Sequence, residues 1–138
     1  MSQPISSSTP LLHRVASTIP GPGLLWKSGA ILVAIGMATG AFGAHGLKKR
    51  SGITVDQVNA WATASHYAVY NGLGLLLLSL HPRFAVHRFA GPAIAVGGVI
   101  FSGSIMALIL ARDKLRWLGP ITPIGGSIMI AGYVALAL

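Results

Sequence analysis

The chain has 138 residues, 53% of them hydrophobic and 9% charged, where soluble domains carry about 25% charge. That is too little charge to clothe a water-facing surface, so the composition excludes an ordinary soluble domain and predicts one membrane-embedded domain. Ten Lys and Arg stand against two acids, but they lie outside or at the ends of the apolar runs, which suits anionic lipid headgroups and argues against nucleic acid.

The chain contains no cysteine, which removes disulfides, zinc–thiolate sites and thiol chemistry. Residues 1–23 read as a flexible N-terminal segment, because Pro4, Pro10, Pro20 and Pro22 interrupt any helix. Arg14 and the absence of acids give this segment a faint likeness to an organelle transit peptide, which would point to a mitochondrial membrane. The first predicted span covers about 24–46, with Trp26 and Lys27 marking its border as an interfacial ring and a snorkelling cation. Ala41–Ala44 looks cleavable by a signal peptidase. The stretch ahead of the apolar run is long for a signal-peptide n-region, which favours a retained helix.

Thr54 and Gln57 fit a capping box, and Asp56 suits the positive end of the helix that follows. The second span is predicted over 61–80, with Trp61 at its border and His81-Pro82-Arg83 ending it. The third covers 91–111, with Pro92 in its first turn, where a missing N–H is tolerated. The fourth covers 118–138, with Pro120 and Pro123 near its start. No charged residue falls mid-span; each would cost about 2.5–3.5 kcal/mol at the bilayer centre. The expected fold is therefore all-α: an integral, multi-pass membrane bundle of four transmembrane helices, each about 20 residues and long enough to cross roughly 30 Å of hydrocarbon. The loops at 47–60 and 112–117 hold six of the ten basic residues, so the positive-inside rule puts them on the cytoplasmic or matrix side.

On a helical wheel, Gly29, Gly36, Gly40 and Gly43 share a stripe about 60° wide. Gly36-xxx-Gly40 has the small-xxx-small spacing of closely packed membrane helices; the alternative is close approach to a ligand. On this reading Gly40→Leu disrupts the bundle. Gly103, four residues before Ala107, and the pair Gly125–Gly126 have packing spacing too. Ser102 and Ser104 point in nearly opposite directions and cannot serve one site together.

In the second span, Thr63, His66, Tyr67, Tyr70, Asn71 and Gly74 fall on one arc of roughly 140°. Ala64, Ala68 and Gly72 form a small-residue face beside it, while Val69, Leu73, Leu76 and Leu80 form the face expected towards lipid. Polar groups in lipid must find partners or water, so the arc is expected to point into the bundle or a cavity, as interhelical glue or as a solute path. His45 lies about 160° from the glycine stripe, at the helix end beside Lys48-Lys49-Arg50.

Catalysis finds little support. The two acids sit in different loops, no Walker sequence follows the glycines, and His13, His45, His66, His81 and His87 lack metalloprotease spacing. Neither a metal nor a cofactor is expected, although His45 and His66 could pair if their helix ends were neighbours.

Gly40-Ala-Phe-Gly-Ala-His45-Gly-Leu47, Trp61-x-Thr63 with Tyr67, Phe101-Ser-Gly-Ser104 and Thr122-Pro-x-Gly-Gly126 occur in this order. With these pieces the chain from about 28 to 138 resembles the transmembrane protein 256 family, also called domain of unknown function 423. The resemblance implies a small four-helix integral membrane protein without an assigned activity. It also implies a His at the position of Asn71, four residues after the tyrosine. The expected role is structural or interactive, as a small membrane subunit, assembly factor or lipid organiser rather than an enzyme. Lipid headgroups at the basic loops, and further copies or a larger membrane complex, are its expected partners. The rival expectation is a small-solute transporter or channel using the polar face of the second helix.

Overall fold

A computed structural model describes residues 21–138. Five α-helices follow in order: α1 (Pro22–His45), α2 (Val55–Leu80), α3 (Ala90–Leu110), the single-turn α4 (Arg112–Leu115) and α5 (Ile121–Ala137). Two 3-10 turns, Leu47–Lys49 and Arg116–Leu118, complete the elements, and no strand occurs among the described residues. The predicted flexible segment lies outside the described residues except at its end. There the helix already begins at Pro22, whose fixed φ suits a first turn, so the boundary moves towards the N-terminus.

The capping box sets the start of α2. The backbone N–H of Gln57 donates to Thr54 Oγ1 at 3.2 Å, and the N–H of Thr54 donates to Gln57 Oε1 at 2.9 Å. The helix therefore begins at Val55, directly after the predicted cap and six residues ahead of the predicted membrane span. The fourth predicted segment, 118–138, is helical from Ile121 to Ala137, so its start moves by three residues. The segment 112–118 is bent by 46° from α5, which begins at Ile121. Pro120 and Pro123 cannot donate to the preceding turn, so the helix cannot run through them from α4.

Of the four predicted spans, α1 with its following turn and α3 are long and apolar enough to cross a membrane, and the bent α4–α5 pair is a third candidate. The first half of α2 carries Asp56, Gln57, Asn59 and the polar arc, which dilute its apolar character.

The helices pack as two antiparallel hairpins, α1 with α2 and α3 with α5, joined through α2 and α3. Leu25, Leu32, Leu75, Leu78 and Ile94 form an apolar core, with Phe84 and Leu136 against it, at the end where α2 leads into α3. In the first hairpin a Cβ placed on Gly29 would lie 2.7 Å from the carbonyl oxygen of Gly72. On Gly36 it would lie 2.9 Å from that of Ser65, and on Gly43 2.5 Å from the Trp61 ring. In the second hairpin a Cβ on Gly97 would lie 2.5 Å from the Met129 nitrogen, and on Gly125 2.7 Å from that of Phe101.

Several expectations about packing are corrected by these contacts. Gly40 meets only the Ser65 Cβ at 3.7 Å, Gly103 faces open space, and Gly126 makes ordinary contact with the Phe101 ring. The tight positions 29, 36 and 43 repeat every seven residues, drifting only about 20° per step, whereas Gly40 lies at the edge of the stripe, about 60° from Gly43. Val69 and Leu76 do not face lipid, because they pack on Gly36 and Gly29. The outward leucines are Leu73, Leu77 and Leu80.

Candidate functional site

The helices meet at one level. Gly36 of α1 lies against Ser65 and Val69 of α2. Tyr67 packs edge-on to Phe101 of α3, and Asn71 reaches Met129 of α5. The polar residues of α2 gather at this level, but they divide into an inner and an outer group.

Asn71 is the inner group. Its side chain is 1% exposed. Nδ2 donates to the Tyr67 carbonyl at 2.8 Å and lies 2.9 Å from Met129 Sδ, while Oδ1 accepts from the Tyr133 hydroxyl at 3.1 Å. Gly98 of α3 makes room for it, since a Cβ there would fall 2.9 Å from Nδ2. One amide thus ties together α2 and α5 across the glycine gap in α3. These contacts use a donor and an acceptor without charge, which the amide supplies at the position where the resemblance implies His. Ser102, one turn beyond Gly98, is buried and its hydroxyl has no partner among the described residues. Ser104, by contrast, shares a 2.7 Å hydrogen bond with Thr122 of α5.

Thr63, His66, Tyr67 and Tyr70 form the outer group; the arc was expected to point into the bundle or a cavity, and of these four His66 lines a groove between α1 and α2. All four are exposed, Tyr67 by 40% and Tyr70 by 58%. His66 stacks on Tyr70 with ring centroids 6.2 Å apart, and Tyr67 stands edge-on to Tyr70 at 6.0 Å. Thr63 bonds back to the Asn59 carbonyl within its own helix. The small face of Ala64, Ala68 and Gly72 is what turns inwards, because it lets neighbouring backbones close. Asn71 is the member of the arc nearest that face and is carried inside, while Gly74 lies against Tyr133.

His45 ends α1, exposed beside the basic turn, where a cation complements the helix dipole. Among the described residues, no three His, Asp or Glu side chains gather as a metal site would require.

Trp61 was expected at the membrane border but is 3% exposed. Its indole N–H donates to the Thr39 carbonyl of α1 at 2.7 Å, and its ring fills the space over Gly43. Phe42 packs on it with centroids 5.6 Å apart, and the Arg50 guanidinium lies 5.7 Å over Phe42. Trp61→Phe keeps most of the ring and removes the donor. It should lower stability by about 1 kcal/mol, read as an earlier unfolding midpoint in detergent with unchanged helical circular dichroism. An unchanged midpoint would show that the hydrogen bond contributes nothing.

Below Trp61, α1 and α2 diverge around a groove of about 680 Å3, lined by Gly40, Ala44, Lys48, Val58, Ala62 and His66 among others. A second hollow, of about 620 Å3, lies beside Gln57, Ile109, Arg112 and Arg116.

Residues 39–126 match the family described as Protein of unknown function (DUF423). The chain belongs to this family. The matched stretch runs from Thr39, the acceptor of the Trp61 bond, through Asn71 and Gly98 to the Gly125–Gly126 pair. The chain is 35% identical to a UPF0382 membrane protein of Schizosaccharomyces pombe over 81% of its length and 97% of that protein. It is 38% identical to a UPF0382 membrane protein of Staphylococcus haemolyticus over 80% of its length and 88% of that protein. No solved structure matches. Family membership, relatives named as membrane proteins and the apolar helices together identify a multi-pass membrane protein.

Proposed function

We propose that this protein crosses the membrane with four helical segments and acts by association rather than catalysis, through the outward face of α2. The observation that carries this reading is the depth of His66, Tyr67 and Tyr70. Gly36 lies midway between Trp26 and His45, the ends of the apolar part of α1, and packs against Ser65 and Val69. With α1 spanning the bilayer, the exposed His66, Tyr67 and Tyr70 come to lie near its midplane. Polar groups at that depth need partners. A second copy of this chain suits them, because tyrosine hydroxyls donate and imidazole nitrogens accept, so the face is complementary to itself about a two-fold axis.

At one end, Lys48, Lys49, Arg50, Arg112, Lys114 and Arg116 stand against Asp56 and Asp113. This end would lie at anionic headgroups on the cytoplasmic or matrix side. A solute path along α2 draws less support, because Asn71 is closed in by Met129, Tyr133 and Gly98, Tyr67 packs on Phe101, and Thr63 and Tyr70 are exposed.

The absence of natural cysteine makes the test direct. Thr63→Cys places one thiol on the outward face, and Val134→Cys places one on an exposed position of α5. Oxidation in liposomes should cross-link the first into dimers and leave the second monomeric. Adding Tyr67→Leu and Tyr70→Leu to the first should reduce the cross-link severalfold. Equal cross-linking of both thiols, or none at Thr63→Cys, would overturn the reading.

A further inference from the structure

We infer that the groove between α1 and α2 holds one acyl chain of an anionic phospholipid, drawn from the leaflet at the basic end of the molecule. The groove runs along α2 from Val55 to His66. Eleven steps of 1.5 Å make it about 16 Å long, the depth of one leaflet, since the hydrocarbon core is about 30 Å thick.

Its chemistry changes along that length as a lipid's does. Gly40, Ala44 and Ala62 give a floor without bulky side chains, bounded by the Trp61 ring over Gly43. Only some of this space is needed for helix packing, because a Cβ added to Gly40 would meet nothing of α2 nearer than the Ser65 Cβ, at 3.7 Å. Ser65 turns its hydroxyl to the Trp61 carbonyl at 3.0 Å and so presents little polarity to the groove. At the headgroup end the lining includes exposed Lys48, with Lys49 and Arg50 next in the chain. The N–H groups of Thr54 and Gln57 there are engaged in the capping box, and Asp56 in the same turn repels a phosphate. Recognition of the headgroup therefore falls to the lysine charge. His66 closes the deep end, held by its stack on Tyr70.

The inference rests on α1 and α2 crossing the bilayer, but not on association through the outward face. The test is native mass spectrometry of the full chain from gentle detergent, with phosphatidylglycerol and phosphatidylcholine supplied equally. One phosphatidylglycerol per chain should be retained, at about fivefold higher occupancy than phosphatidylcholine, the preference that one cation near a lipid surface confers. Lys48→Gln should remove the preference, and Ala62→Phe, which fills the floor, should remove both adducts.

A second measurement guards against misfolding of the filled variant. With Trp26→Phe and Trp117→Phe, Trp61 becomes the sole tryptophan. Brominated acyl chains of phosphatidylglycerol should then quench its fluorescence more than those of phosphatidylcholine. Equal occupancy of the two lipids, several equivalent lipids per chain, an undiminished adduct in a folded Ala62→Phe protein, or equal quenching would each overturn the inference. Monomeric Thr63→Cys together with a specific phosphatidylglycerol adduct would refute the dimer and leave the lipid site standing.

Discussion

Gly36→Leu should separate α1 from α2, while Gly103→Leu should leave the protein at least as stable as before. At Gly36 even a methyl group would sit 2.9 Å from both the Ser65 oxygen and the Val69 nitrogen, atoms of a helical backbone that cannot swing aside. Accommodating a leucine means moving the whole of α2, and this also opens the contacts at Gly29 and Gly43. Overpacking of a close interface typically costs 1–3 kcal/mol, and contact with backbone on a rigid partner places this substitution at about 3 kcal/mol or more. At Gly103 nothing lies within 4 Å. There the leucine gains helix propensity of about 0.8–1 kcal/mol. The two variants should therefore differ in sign as well as size when unfolding is titrated with sodium dodecyl sulfate in mixed micelles. Matching midpoints would mean that α1 and α2 do not meet along this seam.

Tyr133→Phe should be the more damaging half of the pair it forms with Asn71. Losing the hydroxyl strands Asn71 Oδ1, which has no other donor among the described residues and is sealed from water. An acceptor left unsatisfied in this way costs about 1–3 kcal/mol. Asn71→Leu has nearly the same shape and strands only the tyrosine hydroxyl, on a side chain that is 39% exposed and can turn outwards. The double variant removes both polar ends at once and should recover most of the loss. The expected coupling is about 0.6–1.7 kcal/mol, the range for interhelical hydrogen bonds in membranes. Strictly additive losses would mean that the two side chains do not interact.

Local chemistry was legible without coordinates wherever it depended on neighbours in sequence. The Thr54–Gln57 box is such a case, and so is the small-residue face of α2. What could not be read was the identity of each residue's opposite number. Gly97 and Gly103 stand on the same glycine-rich helix, and only the approach of Met129 makes one a packing position and leaves the other open. A helical wheel gives directions around an axis but not which direction a neighbour occupies. The polar arc of α2 was therefore found as a group, yet the interior takes Asn71 and leaves His66, Tyr67 and Tyr70 outside. Trp61 was misread for a related reason. With the helix beginning at Val55, the ring sits in the second turn, over Gly43, and not at the first exposed position.

The two kinds of helix contact bear on how the molecule is made. Backbone-to-backbone seams lie within each hairpin, whereas the joint between hairpins relies on side chains: Tyr67 on Phe101, and Asn71 in the space left by Gly98. During synthesis the first pair has its entire seam available before α3 leaves the ribosome. The second pair has a seam of its own, between α3 and α5. The half-polar α2, the least apolar of the long helices, is thus covered by α1 along a seam that needs neither α3 nor α5.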